Sequence, residues 1–239
     1  MVKRFVLVLF TLLFAICCKA QNKGFAVVEL FTSEGCSSCP KGDAVVARLR
    51  DDYKGSVYVL GFHVDYWNRL GWQDVYSSKE YSKRQGEYAS ALKLPSVYTP
   101  QAIVNGKHEL VGSERGELYS LVADALKKTP VSGISLSVKH ADGNKILVSY
   151  AVTNSEKAAL NIALVQSNAT TEVKKGENAG KKLPHINIVR AFKTITLNKD
   201  RGETMIELPA ALSYNNCTLI AFTQKSNMEI TAATEAVIN

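Results

Sequence analysis

Two cysteines, Cys36 and Cys39, lie in a Cys-Ser-Ser-Cys-Pro stretch and are the side chains most able to do chemistry. Residues 25–31 before them are mostly apolar and β-prone, which predicts a buried strand. Residues 41–50 after them carry apolar side chains at helical spacing, which predicts a helix. Cys36 is therefore expected at a helix N-terminus, where unpaired N–H groups and the helix dipole lower a thiol pKa from ~8.5 to about 3.5–7.5.

This placement predicts thiol–disulfide exchange, with Cys36 as the attacking thiolate and Cys39 as the resolving thiol. We expect Cys36 to be the more exposed and the more acidic of the thiols. The alternative is a structural disulfide that takes no part in exchange. The two serines between the cysteines do not fix a reduction potential, although their hydroxyls could stabilise a thiolate and make the disulfide more oxidising.

The first twenty residues predict a secretory signal peptide. A basic start is followed by an almost unbroken apolar run over residues 5–16, and small residues precede a cleavage site after Ala20. The run is too short to span a membrane. A lipoprotein signal with Cys17 or Cys18 acylated is the less favoured alternative, because an isoleucine precedes Cys17 and a cysteine precedes Cys18. We therefore expect an exported protein, periplasmic or extracellular.

Removal of residues 1–20 changes both the cysteine count and the charge. Cys36, Cys39 and Cys217 remain, and this odd number indicates one pair and one single thiol. Three of the 29 basic residues leave, so 26 face 22 acidic ones and the net charge is +4. No basic cluster interleaved with aromatic residues is present, which argues against nucleic acid as a partner. No later segment predicts a membrane span, and no pattern predicts a cofactor.

The remaining chain divides into two patterns. Residues 21–130 alternate strand and helix signals in the order βαβα and then ββα, with a hairpin signal at Asn105-Gly106. Thr129 to Gly133 reads as a linker, and residues 131–239 show period-two alternation without helical periodicity. We therefore predict an α/β domain over 21–130 followed by an antiparallel β-sandwich domain of about seven strands over 131–239.

The first domain resembles the thioredoxin fold through its CxxC motif after a strand and through Thr99-Pro100 before the hairpin. Longer strings make the chain similar to the secreted bacterial domain-of-unknown-function family numbered 1223. These strings are residues 27–40, 63–67, 70–72 and 97–101, with 176–180 and 185–190 in the second domain. The resemblance implies an α/β thioredoxin-like domain plus an all-β domain, and a cis Pro100 that faces the disulfide and shapes a substrate edge with Thr99. It implies no established substrate.

Two further groups of residues are candidates for the site. Glu29 is an acid within an apolar strand and could accept a proton from Cys39, although an edge-facing or salt-bridged Glu29 is an equal alternative. The aromatic side chains Trp67, Trp72 and Tyr98 could line an apolar groove for an extended peptide or a small thiol. The alternative is that they pack a helix onto the sheet.

His63 and Asp65 end the second strand and, with the two thiols, could bind copper or zinc. Histidines at strand ends are more often hydrogen-bonded structural groups, so we predict no metal and keep His63 and Asp65 as the alternative.

The favoured function is an exported thiol–disulfide oxidoreductase whose partner is a thiol- or disulfide-bearing protein or a small thiol. The alternatives are a non-enzymatic cell-envelope binding module with a structural disulfide, and a metallochaperone. We also expect the segment 176–190 of the second domain to border the redox site. The sequence does not predict an oligomeric state.

Overall fold

The computed structural model describes residues 24–141, 143–155, 157–210 and 212–238; the predicted signal peptide lies outside them. The strands are β1 (Ala26–Thr32), β2 (Val57–His63), β3 (Gln101–Val104), β4 (His108–Val111), β5 (Gly133–Ala141), β6 (Lys145–Thr153), β7 (Ala159–Glu172), β8 (Lys182–Thr196), β9 (Arg201–Glu207), β10 (Cys217–Gln224) and β11 (Ile230–Val237). The α-helices are α1 (Cys39–Asp52), α2 (Lys79–Leu92) and α3 (Arg115–Leu126), and short 3-10 helices cover Asn68–Leu70 and Tyr214–Asn216.

One mixed sheet of eight strands, in the order β11-β10-β7-β8-β2-β1-β3-β4, contains strands from both parts of the sequence. The two parts meet where β8 lies parallel to β2, with Gly61 opposite Ile188. A Cβ at Gly61 would lie 3.4 Å from the Ile186 carbonyl oxygen, at ordinary contact distance. A second sheet, β5-β6-β9, packs on β7 and β10 through apolar side chains such as Ile146 and Leu160.

The predicted fold class, an α/β thioredoxin-like domain followed by a separate β-sandwich, is therefore wrong. The structure is 44% strand and 22% helix, and its main sheet is continuous across the expected linker. The strand signals in the second part of the sequence are real, but β7, β8, β10 and β11 extend the first sheet instead of closing a sandwich of their own. Period-two alternation identifies strands and does not identify their partners. Whether residues 21–130 and 131–239 fold as separate units stays a prediction.

Side chains along β1 point alternately to the two faces of the sheet, and each face is covered by a different set of helices. Val28 and Leu30 pack towards α1 and α3, whereas Val27 and Phe31 pack towards α2. Burial of each such side chain stabilises the fold by roughly 1.5–3 kcal/mol. The face on which a β1 or β2 residue lies therefore decides whether it meets α1 or α2.

Close packing holds the start of α1 against the loop before β3. The Thr99–Pro100 peptide bond is cis, which confirms the prediction. A Cβ at Gly42 in α1 would lie 2.7 Å from the Pro100 Cβ, and one at Gly112 would lie 3.3 Å from that same atom. A larger residue at Gly42 would push α1 away from Pro100, and one at Gly112 would displace the segment after β4 from the same proline.

Candidate functional site

The two predicted active thiols form a disulfide at the junction of β1 and α1. The Cα atoms of Cys36 and Cys39 are 5.4 Å apart, and Cys39 is the first residue of α1. The N-cap residue Ser38 makes no side-chain capping bond, so the first-turn N–H groups keep a positive field near Cys36. Cys36 is 1% exposed and Cys39 is 0% exposed, so the expected exposure of Cys36 is not found in the oxidised protein.

Thr99 lies beside the disulfide on one side. The Cys36 Sγ is 3.7 Å from the Thr99 carbonyl oxygen and 3.4 Å from the Ser38 Oγ. The Ser38 hydroxyl donates to the same carbonyl at 3.4 Å, and the Trp67 indole N–H donates to the Thr99 hydroxyl at 2.8 Å. Thr99, Pro100 and Trp67 therefore lie together next to the disulfide and the first turn of α1.

The other two predicted aromatic residues each bind a carboxylate. The Trp72 indole N–H donates to Glu34 Oε2 at 2.8 Å, and the Tyr98 hydroxyl donates to Glu109. Burial, followed by the bond to Glu109, raises the pKa of the Tyr98 hydroxyl. Trp72 and Tyr98 are half-buried, and the polar atom of each ring is held by a carboxylate.

The connection between β7 and β8 covers the backbone of the CxxC loop from the other side. We call residues 173–181 the hairpin tip; it is closed by a Gly180 N–H bond to the Val173 carbonyl. The fully buried Asn178 amide donates to the carbonyl oxygens of Glu34 and Cys36 at 2.9 and 2.8 Å. The Ser37 N–H donates to the Glu177 carboxylate at 2.9 Å. This part of the expected segment 176–190 does border the disulfide.

A group of buried ionisable side chains lies on the α1 side of the sheet, directly behind the CxxC loop. His63 Nδ1 is 2.7 Å from Asp74 Oδ2, and His185 Nε2 is 3.1 Å from Glu34 Oε1. The two imidazole rings are edge to face with centroids 5.0 Å apart. The Glu34 N–H also donates to Asp74 Oδ2 at 2.9 Å, which joins the two carboxylate–imidazole pairs.

The charges in this group are set by competition between burial and pairing. Burial alone would lower the pKa of His63, but Asp74 reverses this and the pKa of His63 is raised. Burial would likewise raise the pKa of Asp74, but His63 and two backbone N–H groups lower it. His63 and Asp74 therefore form an ion pair in the folded protein.

A third carboxyl, that of Asp43 in α1, belongs to the same group. Part of the residue reaches the surface, yet its carboxyl is removed from water, and this burial raises the pKa of Asp43 despite the opposing effect of His63 and His185. The Thr32 hydroxyl opposes this rise as a hydrogen-bond donor to the carboxyl, and the buried His185 Nδ1 has no hydrogen-bond partner. Native proteins leave few buried polar groups in this condition.

The metal alternative receives no geometric support from the described residues. His63 binds Asp74, whereas Asp65 accepts a hydrogen bond from the Ser82 hydroxyl, so His63 and Asp65 are not brought together. Within residues 24–141, 143–155, 157–210 and 212–238, no group of three or more His, Cys, Asp or Glu side chains is arranged to hold a metal ion.

Glu29 is not near Cys39. It follows Val28 in β1 and so projects to the α2 face of the sheet, opposite the face covered by α1. Its buried carboxylate accepts two hydrogen bonds from the Arg84 guanidinium, at 2.5 and 2.9 Å, and one from the Tyr88 hydroxyl. Glu29 is therefore salt-bridged, as the alternative expected, and the structure does not bring its carboxylate to the disulfide.

Sequence reasoning missed Glu34, Asp43 and Asp74 behind the disulfide, and it included His185 and Asn178 only within the segment 176–190, without a chemical role for either. Glu34 had the clearest available signal, since it is an acid two residues before Cys36. The others come from a helix, a loop, a strand and a hairpin tip that are far apart in sequence; Glu34 and His185 are separated by 151 residues.

These features define a protein with a buried CxxC disulfide, held between a mixed sheet, a helix N-terminus and the hairpin that joins the central strands β7 and β8. Residues 27–224 match the family described as "Protein of unknown function (DUF1223)", and the chain belongs to this family. A comparison with curated proteins found no match. In the described residues no helix is long and apolar enough to cross a membrane.

Two solved structures are similar to this chain over most of its length. Protein AGR_C_4864 from Agrobacterium tumefaciens is 29% identical with a TM-score of 0.70, over 92% of this chain and 97% of that one. HBP35 of Porphyromonas gingivalis is 17% identical with a TM-score of 0.62, over 92% of this chain and 77% of that one. The second likeness is one of fold alone.

Proposed function

We propose that this protein is an exported thiol–disulfide oxidoreductase that exchanges electrons at Cys36 and Cys39. The observation that carries the proposal is the pairing of a disulfide at a helix N-terminus with a buried group of ionisable side chains behind it. A structural disulfide needs neither feature, because its cysteines never ionise or take up protons. Export is proposed from the signal-like residues 1–20.

The exchange has two steps. The thiolate of a reducing partner attacks the Cys36 Sγ; a mixed disulfide forms, the Cys36–Cys39 bond breaks, and its electron pair leaves on Cys39. A second thiolate of the partner then attacks the partner's own sulfur in the mixed disulfide, which releases an oxidised partner and reduced Cys36. The reverse sequence oxidises a dithiol. The N-terminal turn of α1 stabilises Cys36 as a thiolate in either direction.

Burial of the disulfide favours the second candidate, a binding module in which Cys36–Cys39 only holds the loop. Exchange requires Cys36 Sγ to become accessible, and at 1% exposure that takes movement of the hairpin tip or of the Thr99 segment. The two candidates therefore differ in how easily a thiol reduces the bond.

The deciding experiment is the reduction potential of the mature protein, measured by equilibration with glutathione or dithiothreitol. We expect a reversible couple that is more oxidising than about −300 mV, the value below which structural disulfides lie. Alkylation of the reduced protein near pH 6 should label Cys36 before Cys39. Cys217→Ser is the matched control, because that thiol is buried in β10 and its replacement should leave the potential unchanged. A potential below that limit, or equal labelling of both thiols, would support the binding module.

A further inference from the structure

The proposed exchange creates a charge that the buried site has to neutralise. When a thiolate attacks Cys36, the electron pair of the broken bond leaves on Cys39, whose residue is 0% exposed. An unpaired anion buried away from water is costly. A proton must therefore reach the Cys39 Sγ from inside the protein, and the disulfide itself carries none.

Asp43 is the acidic residue that is placed to supply a proton to the Cys39 Sγ. It follows Cys39 by four residues on α1, and residues with this spacing share a helix face with Cβ atoms about 5–6 Å apart. Helical side chains lean towards the N-terminus, so Asp43 leans back over the turn that begins with Cys39. Its carboxyl holds a proton at higher pH than an ordinary aspartic acid, because burial raises its pKa.

Four elements contribute a charged or polar side chain that acts on the Asp43 carboxyl. β2 contributes His63 and β8 contributes His185; the segment before α2 contributes Asp74, and β1 contributes Thr32. Glu34 from the CxxC loop reaches the same group through its contact with His185. The His63 imidazolium, held by Asp74, is a positive charge that stabilises an ionised Asp43.

The polar contacts of this group add a second observation. His185 Nδ1 is buried and has no hydrogen-bond partner in the oxidised protein. The Thr32 hydroxyl acts on the Asp43 carboxyl and lowers its pKa, because a hydroxyl donor favours the ionised form. The carboxyl therefore keeps a hydrogen-bond donor for its charge after it has lost its proton.

We propose that Asp43 donates its proton to the Cys39 thiolate when the disulfide is reduced, and accepts it again when the disulfide reforms. The O–H bond of the carboxyl breaks and the S–H bond of Cys39 forms, and no further oxidant or reductant takes part beyond the thiol partner. His63 is a positioning residue that stabilises the carboxylate left behind. The inference rests on the proposed exchange and adds to it the residue that balances its charge.

The first test is the rate of single-turnover reduction by dithiothreitol, followed through the fluorescence of Trp67 and Trp72, for wild type and Asp43→Asn. General acid catalysis contributes about 10²–10⁴-fold, so Asp43→Asn should be reduced at least roughly 10²-fold more slowly, with a changed pH profile. The matched control is Asp51→Asn, because Asp51 lies on the same helix with its side chain 67% exposed. A rate for Asp43→Asn equal to that of Asp51→Asn overturns the inference.

The second test uses the wild-type protein and does not depend on a variant that folds. The reduced-minus-oxidised infrared difference spectrum should show loss of a protonated carboxyl band, and Asp43→Asn should lack that loss. A spectrum without any carboxyl loss overturns the inference even if the rates differ. Reversible reduction of the wild type without involvement of Asp43 leaves the exchange standing, whereas a wild-type disulfide that resists reduction removes both.

Discussion

The buried ion pair between Glu29 and Arg84 offers a sharp test of how the two parts of the sequence are joined. Arg84 in α2 is buried and binds Glu29 in β1, and its guanidinium also donates to Gln224 in β10 at 3.2 Å. Its Cζ lies 4.7 Å from the Phe192 ring centroid in β8 and 5.6 Å from that of Phe222 in β10. Arg84 therefore contacts both parts of the sequence from one position.

The expected cost of Arg84→Met follows from this geometry. The substitution leaves the Glu29 carboxylate, which is 0% exposed, without its cation, and breaking a buried pair in this way costs about 3–5 kcal/mol. For a domain of this size each kcal/mol moves the melting temperature by roughly 2–4 °C, so a decrease of about 6–20 °C is expected. The double variant Glu29→Leu/Arg84→Met should recover most of the loss, because it leaves no charge unpaired.

Urea unfolding followed by circular dichroism measures the free energy of unfolding of the wild type, the single variants and the double variant. The matched control is Lys83→Met on the exposed face of the same helix, where the side chain is 78% exposed and 3.7 Å from Glu87. Exposed pairs contribute at most about 1 kcal/mol. If Arg84→Met destabilises the protein no more than Lys83→Met does, the ion pair does not hold the sheet to α2 and the reasoning fails.

Three further outcomes are expected. Asn178→Ala removes two hydrogen bonds from the hairpin tip to the CxxC loop. At ~1 kcal/mol per bond, it should speed reduction of the disulfide by a small phosphine roughly 10- to 30-fold. The control Lys175→Ala, at an exposed position of the same tip, should not change this rate. The His63–Asp74 pair should contribute its full stability between pH 3.8 and 6.5. This contribution is lost as the pH rises through the raised pKa of His63 or falls through the lowered pKa of Asp74. If melting temperatures depend on pH in the same way for wild type and His63→Gln, that result contradicts the ion pair. Residues 21–130 expressed alone should melt at a lower temperature than the mature chain, and their Cys36 should be more reactive towards alkylation. The reason is that β2 loses its neighbour β8 and Arg84 loses its hydrogen bond to Gln224. An unchanged melting temperature and an unchanged Cys36 reactivity would show that residues 131–239 do not support the site.

Local sequence signals predicted the neighbourhood of the disulfide well. The strand before Cys36, the helix after Cys39 and the helix that starts after Ser78 depend on residues close in sequence, and all three are present. The Asn105-Gly106 hairpin is also present, with both residues at positive φ as such a turn requires. These elements could be predicted because their apolar period and turn residues are local properties.

The partners of these elements could not be predicted in the same way. Nothing local to β2 identifies β8 as its neighbour, and the resemblance to a thioredoxin-like domain led us to expect that the first sheet ends within residues 21–130. Glu29 shows the same limit on a smaller scale. Alternation correctly separates its face from that of Leu30, but only the packing of α2 shows that Arg84 occupies that face.

The contacts of the hairpin tip reconcile a buried disulfide with the proposed exchange reaction. Two hydrogen bonds from Asn178 and one to Glu177 hold the tip on the CxxC loop. At ~1 kcal/mol each they favour the closed state by about 3 kcal/mol, which leaves on the order of one molecule in a hundred open at any time. In the proposed exchange a partner thiol reacts through that open fraction, while the closed majority keeps Cys39 away from water. Because Asn178 binds the carbonyl of Cys36 itself, any displacement of Cys36 during exchange must also disturb the tip. The second part of the sequence thus contacts Cys36 directly, which is the residue attacked in the proposed exchange.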